Sequence, residues 1–341
     1  MQTYYYKDSV GNFGDDLNGW LWNRLLPDFF DDDSRTRLSV IGTIINDVMP
    51  KADKWFVFTS GVGYGHLPEG FGDSSWEILS VRGPLSAKVL GLGKDKYITD
   101  GAALLNTLPE FKPLSDSERE GVIFIPHHHA IPVGNWENVC RLAGVEYVSP
   151  QWDSVDVINK IRKSKLVIAD AMHAAIIADA MRVPWVPAIS SPQINTFKWL
   201  DWALTIDTPY LPINIGPSYF HESIKSQTLK FYGEHYELKD KTAESAIKDF
   251  YFKKKYKSSI LWPNYCRASR ILSYNLPYAL INCLGKGYMA RKNETYTALA
   301  VEYMLKAKDS NGFLSEDNVF SDNVDKLMSK LDYLKKFKSV S

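Results

Sequence analysis

The most informative segment of the chain is Leu166-Val167-Ile168-Ala169-Asp170-Ala171-Met172-His173-Ala174-Ala175. Its first four residues are apolar, which predicts a buried strand, and the small residues that follow favour a helix. A buried strand that passes straight into a helix is typical of a parallel α/β sheet. We expect Asp170 to cap the helix and His173 to lie in its first turn, facing whatever binds over the sheet edge. The alternative is a structural histidine satisfied within the core.

The same alternation of strands and helices extends through two halves of the chain. Predicted strands lie at residues 3–7, 38–41, 55–59, 77–81, 121–126, 146–148, 165–169 and 185–188. Predicted helices lie at residues 15–26, 136–143, 154–164 and 172–181. A polar stretch, residues 110–120, which contains Pro113 and directly follows Pro109, separates the halves as a linker. The sequence therefore predicts an α/β fold with two Rossmann-like domains facing across a cleft, one over residues 1–115 and one over residues 116–341.

The region after residue 205 forms an aromatic and basic extension in which the pattern predicts no strands. A last helix is predicted over residues 323–337, with Leu327, Leu331 and Leu334 on one face. We interpret it as a terminal helix docked on the core, with a membrane-surface helix as the alternative.

Composition restricts the function further. The chain has 341 residues with 40 basic and 40 acidic side chains, so no overall field recruits nucleic acid. Cys140, Cys266 and Cys283 are far apart in the sequence, which argues against a disulfide framework and a zinc site. The N-terminus lacks the pattern of a signal peptide and no apolar run is long enough for a membrane span, so a cytoplasmic protein is expected.

Two further segments follow predicted strands in the first half. Gly11-Asn12-Phe13-Gly14-Asp15-Asp16 precedes a helix, where glycines permit a tight turn and unpaired N–H groups attract an anion. An ordinary turn capped by Asn12 or Asp15 is the alternative. Val81-Arg82-Gly83-Pro84-Leu85-Ser86 ends a strand in an arginine, whose planar charged group can fork onto a carboxylate or phosphate. The alternative there is a surface arginine.

Pro126-His127-His128-His129 follows the first strand of the second half. Adjacent residues of an extended segment point to opposite sides, so we expect no metal site from His127, His128 and His129. A role for one or two of them in proton transfer or in contact with an anionic or sugar group is preferred. A metal-dependent hydrolase is a distant alternative.

A last motif is Asp100-Gly101-Ala102-Ala103-Leu104-Leu105. In order and context, this motif, the Asn12–Asp16 and Val81–Ser86 turns and the His173 helix resemble the polysaccharide pyruvyl transferase family over roughly residues 3–205. The resemblance implies a glycosyltransferase B-type architecture, phosphoenolpyruvate as donor, no metal or other cofactor, and a pyruvate ketal on a sugar as product.

The resemblance also implies roles for individual residues. Arg82 would bind the anionic end of the donor and His173 would act at the reacting centre. Lys198 resembles the family's basic residue after the last strand of the core. The predicted substrate site is completed by Asn12, Gly14, Asp15, Asp16, His127, His128 and His129.

The expected acceptor is a saccharide linked to undecaprenyl diphosphate, which would bring the protein to the inner face of the cytoplasmic membrane. The aromatic and basic stretch Tyr251–Lys257 and the lysine-rich last helix are compatible with peripheral contact there. One departure concerns Ala171, because many family members carry an arginine at that position. Arg182, Lys163 and Lys7 are candidates to replace its charge.

Two rival functions stay open on the sequence. A sugar-nucleotide glycosyltransferase of the same fold would bind a nucleoside diphosphate and ignore phosphoenolpyruvate. A non-catalytic saccharide-binding or assembly protein is favoured by the 10 Trp and 19 Tyr residues, and would bind oligosaccharide without releasing phosphate.

Overall fold

Two parallel sheets organise the chain in the computed structural model, which describes residues 1–64, 66–282 and 286–338. The first sheet is formed by strands that lie side by side in chain order: β1 (Gln2–Tyr4), β2 (Thr36–Ser39), β3 (Lys54–Phe58) and β4 (Trp76–Ser80). The second sheet contains β5 (Val122–Ile125), β6 (Glu146–Tyr147), β7 (Leu166–Ala169), β8 (Trp185–Ile189) and β9 (Ile213–Asn214). Neighbouring strands pair in parallel throughout, so the predicted α/β class is confirmed.

The helices that cover and extend these sheets are α1 (Phe13–Asp16), α2 (Leu21–Leu25), α3 (Pro84–Val89), α4 (Trp136–Ala143), α5 (Ser154–Lys163), α6 (Met172–Ala180), α7 (Thr196–Ala203), α8 (Phe220–Thr228), α9 (Ala243–Lys257), α10 (Trp262–Arg270), α11 (Leu276–Asn282), α12 (Lys286–Lys308) and α13 (Asp317–Lys338). The predicted strands and the helices α4 to α6 are confirmed, with ends that differ by a few residues at most. The region after residue 205, for which the sequence predicted no strands, contributes β9 and then folds mainly as helices.

The predicted helix over residues 15–26 is wrong as a single element. The chain there forms α1, a 3₁₀ turn at Leu17–Gly19 and then α2. The cause is the buried amide of Asn18, which donates to the carbonyl oxygens of Asp15 and Ile41 and accepts from the Ile41 backbone N–H. These bonds tie the turn to the loop after β2, and a regular helix could not make them.

The second sheet has the lateral order β6, β5, β7, β8, β9, which changes direction between β5 and β7. In open parallel sheets, ligands bind outside the carboxyl ends of the strands at such a switch point. His127 comes shortly after β5, and Ala171 comes shortly after β7. The topology therefore marks these two loops as a binding position.

The two halves share one continuous hydrophobic core. Polar bonds also join them, since the Trp20 indole donates to the Ser154 hydroxyl over 2.8 Å and the hydroxyls of Thr99 and Thr205 lie 2.8 Å apart. The division at residue 115 stays a prediction.

The last helix, α13, is docked, as predicted. Leu327, Leu331 and Leu334 are fully buried. The ring of Phe337 meets Phe56 of β3 edge-on, with the ring centroids 4.8 Å apart. The C-terminal end of the chain therefore returns to the first sheet.

Two structural features relate to the expected compartment. Among the described residues, no helix combines the length and apolarity needed to cross a lipid bilayer. Cys140 and Cys266 are free thiols, and Cys283 lies outside the described residues.

A candidate active site between the sheet edges

A cavity of about 410 Å³ lies where the carboxyl ends of the two sheets meet. Its volume is within the range of small-molecule sites. The predicted site residues that line it are Asn12, Asp15, His127, His128, His129, His173 and Lys198. The other predicted residues, Gly14, Asp16 and Arg82, lie behind its wall. The loops of both halves therefore contribute to one site, as the sequence predicted.

His173 and Asp100 form a buried pair at the floor of the cavity. His173 Nε2 lies 4.0 Å from Asp100 Oδ2, and neither atom has a hydrogen-bond partner within the described residues. Burial, with the nearby charges of Lys198 and Arg82, lowers the pKa of His173 to about 3. Burial raises the pKa of Asp100 to about 6. Burying an imidazole and a carboxyl oxygen that both lack hydrogen-bond partners costs free energy. This cost points to a functional rather than a structural pair.

Gly14 gives His173 the space it occupies. A Cβ atom built on Gly14 would lie 2.0 Å from His173 Nδ1, far inside contact distance. Gly14 also belongs to α1, where alanine would otherwise be the better helix former. The glycine of the first motif is therefore required by the approach of the imidazole, and the sequence did not reveal this reason.

Asn12 and Asp15 form the polar edge of the cavity on the first half. The Asn12 amide donates to Asp15 Oδ2 over 2.6 Å. Burial raises the pKa of Asp15 to about 7, although the charge of Lys198 and the bond from Asn12 lower it. Asp16 has a different role, because its carboxylate accepts from the Asn12 backbone N–H over 3.0 Å and fixes the turn.

Arg82 is fully buried and does not line the cavity. Its Nε donates to Asp201 Oδ2 over 3.2 Å, and its Nη1 donates to the Thr43 hydroxyl over 3.0 Å. Asp201 also accepts from the backbone N–H and the hydroxyl of Ser86. Arg82 therefore holds Thr43, which does line the cavity, and its charge acts on the site from behind the wall.

Lys198 supplies the full positive charge among the described lining residues. Its ammonium lies 5.1 Å from the centre of the Tyr64 ring and 3.4 Å from the Tyr64 hydroxyl. The residue sits in the first turn of α7, which Asn195 caps by accepting from the backbone N–H groups of Phe197 and Lys198. This position places Lys198 in the lining of the cavity.

The three cations proposed to compensate for Ala171 lie elsewhere. Arg182 donates to Ser315 and Asp317, and Lys163 is exposed at the end of α5. Lys7 lies 5.2 Å from the centre of the Tyr5 ring and is exposed. None of the three lines the cavity as described, so Lys198 is the cation best placed for this role.

The histidine triplet does not form the extended segment that the sequence argument assumed. His128–Ala130 form a 3₁₀ turn, and ring nitrogens of His127, His128 and His129 lie within 4.8 Å of one another. The geometric reason for excluding a shared ligand is therefore wrong, although the absence of a metal stays a prediction. Burial is the main cause that lowers the pKa of all three, to about 3 for His129.

Asp170 does not cap α6, and that prediction is wrong. The N-cap residue is Ala171. The buried carboxylate of Asp170 instead accepts from the His127 backbone N–H over 2.8 Å and from the backbone N–H and hydroxyl of Ser190. It ties together the loops that follow β5, β7 and β8. Within the described residues no side chain caps the start of α6, so the first N–H groups of the helix lack a side-chain partner there.

Sequence reasoning missed several residues that line the cavity: Tyr4, Tyr6, Thr43, Tyr64 and Asn195. Asn195 carried a usable signal, because it follows a strand and precedes a helix as a typical N-cap. The tyrosines carried none, since aromatic residues are frequent throughout this chain.

The fold and the cavity define an α/β protein that can hold a small anion between two parallel sheets. The profile of the polysaccharide pyruvyl transferase family matches residues 73–192, a range that contains Arg82, Asp100 and His173. The chain is also 40% identical over 245 residues to the succinoglycan biosynthesis protein ExoV of Rhizobium meliloti (strain 1021), covering 72% of this chain and 77% of that protein. No solved structure matches significantly. The chain belongs to the polysaccharide pyruvyl transferase family and is a transferase.

Proposed function

We propose that the protein transfers the enolpyruvyl group of phosphoenolpyruvate to two hydroxyls of one sugar in an exopolysaccharide precursor. The observation that carries the proposal is one cavity lined by the Lys198 ammonium, the Asp15 carboxyl with its raised pKa, and His173, with Asp100 buried 4.0 Å behind the imidazole. The name of the Rhizobium meliloti relative supports an exopolysaccharide pathway. The acceptor in this proposal is linked to undecaprenyl diphosphate.

The proposed reaction begins with a proton delivered to the methylene carbon of phosphoenolpyruvate. The first sugar hydroxyl then bonds to the adjacent carbon and gives up its proton. The bond from that carbon to the phosphate oxygen breaks, and the second hydroxyl attacks to close the ketal. Over the cycle the methylene group becomes a methyl group and inorganic phosphate leaves with the other hydroxyl proton.

Asp15 is suited to be the acid and His173 the base. With a pKa of about 7, Asp15 carries a proton in a large fraction of molecules at neutral pH. Burial keeps His173 neutral, so its ring nitrogen is free to accept a hydroxyl proton. The carboxylate of Asp100 4.0 Å away would stabilise the resulting imidazolium and oppose the effect of burial on the pKa of the histidine. Lys198 and the N-terminus of α6 would hold the anionic groups of the donor.

The predicted contact of Arg82 with the donor becomes indirect in this proposal. Arg82 holds Thr43 and contributes its charge from behind the wall. Asn12 and the histidines of the triplet would contact the sugar or the phosphate as neutral donors. Neither a metal nor another cofactor takes part in the proposed reaction.

The remaining elements of the proposal concern architecture and place. We propose that the two sheets correspond to the two domains of a glycosyltransferase B-type fold. The protein would act in the cytoplasm, at the inner face of the membrane that carries the acceptor.

The test is phosphate release from phosphoenolpyruvate, measured with and without a galactoside acceptor in the presence of a chelator. Release that depends on the acceptor and survives chelation is the expected result. Binding of a nucleotide sugar, with no release over a broad acceptor panel, would favour a glycosyltransferase instead. Oligosaccharide binding without release would favour a non-catalytic protein.

A further inference from the structure

One helical segment exposes an unusually apolar surface. The helices α10 and α11 are joined by a π-helical turn at Ile271–Asn275 and run on as one segment, Trp262–Asn282. Its large exposed apolar side chains, with those just before it, are Ile260, Leu261, Tyr265, Ile271, Leu272, Leu276 and Leu280. Ile260 is 89% exposed and Leu280 is 70% exposed. Contiguous exposed apolar surface of this kind marks an interaction site.

The opposite side of the same segment attaches it to the protein. The rings of Tyr274 and Tyr278 stack on His221 of α8, with centroids 5.8 Å and 4.0 Å from the histidine ring. In helical geometry Tyr265, Leu272, Leu276 and Leu280 lie away from these tyrosines. The segment therefore has two different faces, an inner one with Tyr274 and Tyr278 and an exposed outer one with Tyr265 and the three leucines.

The charges around this surface identify the kind of partner. Within Trp262–Asn282 the charged residues are Arg267 and Arg270, and the segment has no acidic residue. The preceding helix α9 ends in the run Lys253-Lys254-Lys255-Tyr256-Lys257. Arg270 is paired with Glu234 at 3.7 Å and Lys253 with Asp249 at 2.7 Å. The basic residues Arg267, Lys254 and Lys255 still outnumber these carboxylates, and an exposed apolar face with a basic border matches the surface of a bilayer that contains anionic lipids.

A hollow lies beside the segment. It has a volume of about 680 Å³ and is lined by Phe252, Tyr256, Trp262, Tyr265, Lys253 and Lys257. Lys253 and Lys257 also line a smaller hollow that includes Asn195. Asn195 in turn lines the active-site cavity. The three hollows are thus neighbours that share lining residues, and Lys253 and Lys257 lie between the two nearest the apolar surface.

We propose that Trp262–Asn282 is an in-plane membrane anchor that seats the protein on an anionic bilayer, with the aromatic hollow opening toward the lipid. The segment lies on the surface and does not cross it. The inference rests on the proposed function in one respect only: membrane binding would bring the active site close to a lipid-linked acceptor. It also moves the membrane contact away from α13, whose apolar face is buried in the core.

The test is co-sedimentation of the full chain with vesicles of phosphatidylcholine alone and of phosphatidylcholine with phosphatidylglycerol. The variant Leu272→Gln/Leu276→Gln/Leu280→Gln removes apolar surface and retains good helix formers. The control variant Leu142→Gln/Leu299→Gln/Leu305→Gln changes leucines that are 52%, 43% and 39% exposed on α4 and α12. Circular dichroism checks that both variants fold.

We expect wild type and control to bind the anionic vesicles, and the anchor variant to bind at least tenfold more weakly. Binding should weaken with added salt. Phosphate release with a short water-soluble acceptor should be unchanged in the anchor variant, which separates the anchor from the proposed reaction. The proposal would be overturned if the wild-type protein did not bind anionic vesicles. It would also be overturned if the anchor variant bound them as well as the control variant does. A wild-type dimer that the anchor variant abolishes would assign the surface to a second copy instead.

Discussion

Replacing Gly14 by alanine tests whether the position of His173 matters for the reaction. The added methyl group would lie 2.0 Å from His173 Nδ1, whereas ordinary contact begins at 3.4 Å. The imidazole must therefore withdraw by about 1.4 Å, or α1 must shift by as much. Either movement displaces the imidazole from its position 4.0 Å from Asp100 Oδ2.

The Gly14→Ala substitution has two opposing effects on the free energy of unfolding. Alanine is better than glycine within a helix by about 1 kcal/mol, while overpacking a tight interior costs roughly 1–3 kcal/mol. We therefore expect the free energy of unfolding to fall by about 1 kcal/mol, within that range of opposing effects. The effect on turnover is larger, because misplacing a reacting group by about 1 Å costs on the order of 10²-fold in rate.

The assay is acceptor-dependent phosphate release, with thermal unfolding measured on the same samples. Gly287→Ala in α12 is the matched control, because its added methyl group meets no atom within 4 Å. We expect the control to be at least as stable and as active as the wild type. Wild-type turnover in Gly14→Ala would refute the reasoning, because the reaction would then not depend on the close approach of the His173 imidazole to residue 14.

Four further substitutions probe the site. His173→Ala should lower kcat by roughly 10²- to 10⁴-fold, measured by phosphate release, and full turnover with an unchanged pH profile would exclude it as the base. Lys198→Ala should raise KM for phosphoenolpyruvate about tenfold or more, as expected for the loss of a charged contact, whereas Lys163→Ala should leave KM unchanged. Because the acid form of Asp15 is required, kcat/KM should fall as pH rises through about 7, and Asp15→Asn should be slow and lack this limb. Arg82→Ala breaks a buried ion pair and should lower the free energy of unfolding by about 3–5 kcal/mol in urea titration, so an unchanged stability would contradict its assigned role.

The sheets were predictable because their strands carry strong local signals. The apolar run Leu166–Ala169 is short, continuous and followed by small residues, which suits only a buried strand before a helix. The turn around Asn18 was not predictable, since its path depends on a bond to Ile41, which is distant in the sequence. The segment Trp262–Asn282 was missed because its apolar side faces outward, against the assumption behind periodicity arguments.

The site was predictable as a set of loops and less so as a set of roles. The strand-end rule brought together residues from both halves, including Asp15 and His173. It could not tell a lining residue from a supporting one. Arg82 and Asp170 both follow strands, yet their partners Asp201 and Ser190 hold them in the wall of the site. Such partners lie far along the chain and are visible only in three dimensions.

The most direct test of the central claim is to run the reaction in D₂O with phosphoenolpyruvate and a galactoside, and to analyse the product by mass spectrometry and NMR. The account predicts a sugar that has gained one pyruvate less one water, with a ketal methyl group that carries a single solvent deuterium. The His173→Ala variant should form this product far more slowly. A sugar transferred from a nucleotide, an enol ether that keeps its methylene group, or no product at all would contradict the account.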